Sequence, residues 1–172
     1  LSIEDENRFT TFPITKGREL IEEEYLKQQR SFWVRDQVSM KEDQIHWKEG
    51  LLYPNTLDTE EMKKNESAKE FIILILAFFS SADKLIIDNL DENFMKEFKW
   101  LEVTKTYSFQ MMMEYTHSDA YGIQIDQLIT NIVEKEKIFK AIEKIDCVKK
   151  KAKFVFKYMD KKTVDKEYKE KS

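Results

Sequence analysis

Cysteine, proline and glycine are scarce in this chain: one, two and three among 172 residues. The lone Cys147 excludes an internal disulfide and a cysteine zinc cluster and fits a reducing compartment. Its sequence context leads to the expectation of a buried thiol. An all-β chain needs turn residues about every 8–12 positions, more than three glycines and two prolines supply. No G-x-G-x-x-G or G-x-x-x-x-G-K-S/T loop is present to cradle phosphate. Positive charge is not in excess, since 29 Lys and Arg face 33 Asp and Glu for a net charge of −4. That balance argues against a nucleic acid held by bulk charge. The longest apolar run, Phe71 to Phe79 (FIILILAFF), is about half of a membrane-spanning helix. The chain opens without the pattern of a signal peptide. The expectation is a cytoplasmic protein that binds neither membrane nor nucleic acid.

What is present is helical. Hydrophobic residues make up 41% and aromatic ones 13%, too much apolar bulk for disorder. The expected organisation is one all-α domain over 1–172. It has an N-terminal arm over 1–16, a helical bundle over 17–159 and a charged tail over 160–172. A helix is expected over 17–34, with Thr15 able to cap it, and a short one around Ile45, His46 and Trp47, capped by Asp36 or Ser39. Residues 50–64 read as loop. A long helix follows over 65–89, apolar nearly all round between Phe71 and Phe79 and so expected at the bundle centre. Asp91 is expected to cap another helix running to about residue 129. It would be roughly 50 Å long at 1.5 Å per residue. Two such long antiparallel helices are typical of bundles. Shorter helices are expected over 133–146 and, more basic, over 148–159. Trp33 and Trp47 read as core anchors, and the lysines of the last helix as a solvated face.

Two histidines occur, at 46 and 117. His46 reads as structural. His117 lies three residues after Glu114, which places both on one helix face, and Tyr121 extends the stripe one turn further. Met111, Met112 and Met113 surround it, by default as packing material. A Glu, a His and a Tyr in such surroundings are costly unless satisfied. A carboxylate and an imidazole at this spacing reach one metal ion, as in di-iron carboxylate bundles. Asp83, at the end of LAFFSSAD, is a second polar intruder on an apolar helix and a third ligand for the same ion. On its own, Glu-x-x-His is common on any helix of this composition.

The order of the segments narrows the reading. FPI at 12–14, SFW at 31–33, QIHW at 44–47, LAFFSSAD at 76–83, MEYTHSDAY at 113–121 and IDCVKKKAKF at 145–154 occur in sequence. Together they resemble the small, radical-generating subunit of eukaryotic-type class I ribonucleotide reductase, which has a ferritin-like helical bundle. The resemblance implies that Asp83, Glu114 and His117 are iron ligands. It implies that Tyr121 carries the stable radical and that Trp33 passes electrons toward the large subunit. It further implies a di-iron centre, with manganese as an alternative metal, a second small subunit and the large subunit as partners, and conversion of ribonucleotides to deoxyribonucleotides.

The resemblance covers the first half of the family pattern. The family's further carboxylate, its second Glu-x-x-His and its C-terminal docking tail have no counterpart here, so half of a two-iron site is expected. The residues are then expected to be part of a longer protein or a divergent auxiliary paralogue. In the second case the alternative is a catalytically silent partner that stabilises a complete small subunit. Lys84, where the family usually has Gly, would compete with metal for Asp83 if it pointed inward.

Overall fold

The computed structural model describes residues 9–49 and 59–160, and every regular element among them is helical. Helix α1 is Glu19–Arg30, followed by a 3-10 turn at Arg35–Gln37 and by α2, Lys41–Glu49. Helix α3, Thr59–Asn89, runs into a π-turn at Leu90–Phe94 and the single turn α4, Met95–Glu97. Then come α5, Leu101–Leu128; α6, Ile132–Phe139; α7, Ala141–Lys144; and α8, Asp146–Met159.

Local chemistry sets several of these boundaries. Gly17 adopts φ +90°, a conformation that favours glycine, and its N–H donates to Glu19 at 2.8 Å. Thr15 does not cap α1 through its side chain. Its carbonyl accepts from the Arg18 N–H at 2.9 Å, which closes the turn before the helix. α1 ends at Arg30, so Ser31 to Val34 leave the helix instead of extending it. α2 begins after Asp36 and Ser39, with the Gln44 N–H bonded to the Met40 carbonyl. α3 begins at Thr59, six positions before the expected start, which turns 59–64 into helix. The rest of that predicted loop, residues 50–58, lies outside the described residues, as do positions 1–8 of the arm and 161–172 of the tail.

Asp91 does not cap a helix. It sits inside the π-turn that carries α3 onward. The expected helix over 91–129 is instead broken at Phe98, whose backbone is extended (ψ 112°). Phe94 stacks on Phe98 and meets Tyr107 edge-on at 5.4 Å, so aromatic packing holds the break. Asn131 caps α6 by accepting from the Val133 and Glu134 N–H groups, a role its carboxamide oxygen suits. The expected helix over 133–146 divides at Lys140, which leaves helical geometry, and Asp146 opens α8.

The chain forms two compact units. The first unit combines residues up to Trp33 with Asp83–Thr116 and the segment from Phe154. Within it α1 meets α5, with Tyr25 and Phe32 both edge-on to Phe109. The second combines Val34–Ala82 with His117–Lys153. Its core is Leu76 and Ala77 of α3, Ile125 and Leu128 of α5 with Ile129 just after it, and Ile138, Ala141 and Val148 beyond. Trp47 packs on that core while remaining half-buried, and His46 is exposed.

The apolar run of α3 is not buried all round. Leu76 and Ala77 are enclosed, yet Phe71 is 64% exposed, and Leu74 and Phe79 are exposed as well. Among the described residues, the core of the second unit encloses Leu76 and Ala77 and leaves these three side chains outside it. Cys147 is exposed, contrary to expectation, because Val148 and Ala152 form the inward edge of α8 and Cys147 lies off it. The lysines of α8 are solvated, as expected.

Ile138 is 1% exposed in the core of the second unit. Truncating it leaves a cavity, so Ile138→Ala should cost about 2–5 kcal/mol. Denaturant unfolding checks this, through a lower midpoint at unchanged slope.

Candidate metal centre

α3 and α5 carry the three residues singled out as ligands. Asp83 lies in the last third of α3 and is 5% exposed. Glu114 and His117 lie one turn apart on α5 and are half-buried. Helical periodicity alone brings those two together. Asp83 precedes Glu114 by 31 positions (114 − 83) and belongs to the same compact unit. One ligand atom from each of the three lies within 4.8 Å of the others. Among the described residues this is the one such gathering of His, Cys, Asp and Glu.

The donor set suits a metal. Two carboxylates and one imidazole are hard and intermediate donors of the kind that bind iron or manganese. Two carboxylates brought close, one of them nearly buried, repel each other and lose hydration unless a cation compensates. Lys84 does not provide it. Its side chain is exposed and its ammonium pairs with Asp88, one turn along α3. The hydrogen bond to that carboxylate holds the Lys84 pKa above its usual value. The competition for Asp83 that Lys84 would offer if it pointed inward is therefore absent.

Tyr121 lies one turn beyond His117 on α5. It is half-buried, and its ring stacks on Phe79 with centroids 5.5 Å apart and planes at 20°. Phe79 in turn meets Phe78 at 5.4 Å, and the Lys151 ammonium lies 4.3 Å from the Phe78 ring centre. Trp33 is not on either long helix. It occupies the extended stretch between α1 and the 3-10 turn and is half-buried, less enclosed than a core anchor. Two residues later, Arg35 pairs with Asp119 of α5 at 3.0 Å.

The sequence reading passed over Glu102, the most deeply buried charged residue described, at 0% exposure. It sits in the first turn of α5, where its carboxylate takes a hydrogen bond from Arg18 at 3.0 Å and another from the Thr15 N–H at 3.2 Å. The Arg18 guanidinium also lies 4.1 Å from the Trp100 ring centre, within cation–π reach. The arm before α1 is thereby tied to the start of the helix that carries Glu114 and His117. The available signal was a single acid among Trp100, Leu101 and Val103.

Comparison with known proteins agrees with this architecture. The family model "Ribonucleotide reductase, small chain" matches residues 8–172. Similar curated proteins include a ribonucleoside-diphosphate reductase small subunit of Arabidopsis thaliana, 33% identical over 90% of this sequence and 42% of the relative. Subunit M2 of the enzyme from Rattus norvegicus is 35% identical over 91% of this sequence and 36% of its own length. A small subunit from African swine fever virus is 38% identical over 93% and 44%. The chain therefore spans less than half the length of these relatives.

Removing the Arg18 guanidinium would strand the Glu102 carboxylate in the interior. Arg18→Met should cost about 3–5 kcal/mol of stability, and a double variant with Glu102→Leu should regain much of it. A double-mutant cycle by chemical denaturation measures both; additive costs would contradict the pairing.

Proposed function

The chain belongs to the ribonucleotide reductase small-chain family, and from that premise we propose that it supplies ligands to a radical-generating metal centre. The observation that carries this reading is the approach of Asp83, Glu114 and His117 to within 4.8 Å. The metal is iron, with manganese as an alternative. When bound, it would supply the oxidising power to convert a phenol into a radical.

Each residue has a distinct task in this reading. Asp83, nearly buried, would bind as a charged carboxylate in a setting of low polarity, where its attraction to a cation is strengthened. Glu114, one turn from His117, would reach across as a second hard donor. His117 would present one ring nitrogen to the metal while the helix holds the ring in place. Tyr121 would hold the oxidised state. Its ring is stacked on Phe79 and only partly open to water, which slows quenching by solvent. Trp33 would carry electrons between this centre and a large subunit, where ribonucleotides become deoxyribonucleotides. A second small subunit completes the assembly. We place the protein in the cytoplasm. Among the described residues no helix is long and apolar enough to cross a membrane.

A second reading is a silent structural partner of a complete small subunit. One experiment separates the two. The protein is loaded with iron(II) and oxygen, alone and mixed with a complete small subunit, and examined by electron paramagnetic resonance and metal analysis. The radical reading expects a tyrosyl signal that Tyr121→Phe abolishes with iron content unchanged. It also expects Asp83→Asn and His117→Ala to lower iron content. An unchanged signal in Tyr121→Phe overturns the assignment of Tyr121. No radical from this protein under any loading, together with tight association with the complete subunit, establishes the structural-partner reading instead.

A further inference from the structure

In the first unit a cleft of 460 Å3 opens between α1 and the start of α5. It lies within the size range of small-molecule sites, roughly 300–1,000 Å3. None of Trp33, Asp83, Glu114, His117 or Tyr121 lines it. We propose that this cleft binds a small planar aromatic molecule that carries a hydrogen-bond donor.

The first ground is the wall. Phe98, Trp100 and Tyr107 present three aromatic rings to the cleft. Each ring has a packed neighbour. The Arg18 guanidinium lies over Trp100, Phe94 stacks on Phe98, and Phe94 also meets Tyr107 edge-on. Fixed rings form a slot for another flat ring at little entropic cost, because their rotamers are already set.

The second ground is an unmet acceptor. Gln28 of α1 lines the cleft, and its Oε1 is buried with no hydrogen-bond partner among the described residues. Such groups are rare in native proteins because the lost hydration is not replaced. Two donors close to Gln28 in sequence or in the lining are engaged elsewhere. The Thr106 hydroxyl, also in the lining, donates to the Glu102 carbonyl at 2.7 Å, and the Gln29 amide donates to the Tyr25 hydroxyl at 2.9 Å. An N–H or O–H arriving with a ligand would meet the Gln28 oxygen once its carboxamide turns toward the cleft.

The third ground is charge. Among the described residues no Lys or Arg lines the cleft, and Glu24 at its edge is paired with Lys27 at 2.6 Å. Phosphates and carboxylates therefore find no counter-charge there. The chemistry favours a neutral, flat ring that brings a donor to Gln28.

Indole, with its N–H, and benzofuran, of the same shape without a donor, are the probes. Each is titrated into the full chain and followed by calorimetry and by the NMR shifts of the Gln28 side-chain amide. The expected result is saturable binding of indole, about tenfold tighter than benzofuran, as one hydrogen bond implies. Gln28→Leu should reduce indole to the affinity of benzofuran while the melting temperature holds or rises, since the variant removes the unmet acceptor. Val103→Trp, which fills the cleft, should abolish both. Equal affinity for the two probes, a preference for indole that survives Gln28→Leu, or no saturable binding at millimolar probe would each overturn the proposal.

Discussion

A carboxylate removed from water must be compensated, and the described residues bury two, one on each of the two long helices. Glu102 is fully enclosed and Asp83 nearly so. Much of the structure follows from how each is answered. Glu102 receives a guanidinium and a backbone N–H, both from the segment just before α1. That arrangement fixes where α5 begins and gives α1 its place beside it. Asp83 is approached by a second carboxylate and an imidazole. The first arrangement is closed and electrostatically complete. The second concentrates negative charge and donor atoms, which is the disposition of a cation site.

The aromatic residues divide their work along similar lines. Phe94, Phe98 and Tyr107 stabilise the point where the helical path breaks between α4 and α5. That break separates the end of the α3 path from the start of the helix bearing Glu114 and His117. Phe78, Phe79 and Tyr121 form a second group in the other unit, where the ring of Tyr121 has a fixed stacking partner. In each case the rings do what a hydrogen bond would do in a polar site: they limit orientation. Lys105, between the Tyr25 ring and the Glu22 carboxylate, adds a cation to the α1–α5 packing of the first unit.

The helical class was plain from composition, and the Glu-x-x-His pair from spacing, because both are properties of short stretches. A pair three residues apart on a helix shares a face whatever surrounds it. The long helix ending at Asn89 was legible for the same reason, although its start was misplaced by six residues. Asp91 misled because an acid before an apolar run is also what a π-turn interior can contain. The break at Phe98 was invisible because no Gly or Pro marks it; it depends on Phe94 and Tyr107, and Tyr107 meets it only in the fold. The exposure of Phe71 and Cys147 was likewise beyond a pattern that counts apolar residues without knowing which sides acquire partners.

Sequence alone carries an all-α chain, two long helical segments, a Glu-x-x-His stripe extended by Tyr121, and five ordered blocks that resemble the ribonucleotide reductase small chains. These are local periodicities and motifs, set by backbone geometry and side-chain type. Tertiary structure alone brings Asp83 to Glu114 and His117 and makes Glu102 a buried ion-pair partner of Arg18. Those outcomes join residues 31 to 84 positions apart (114 − 83 and 102 − 18). They rest on packing that brings separate segments side by side, and Coulomb energy responds to distance in space, not to distance along the sequence.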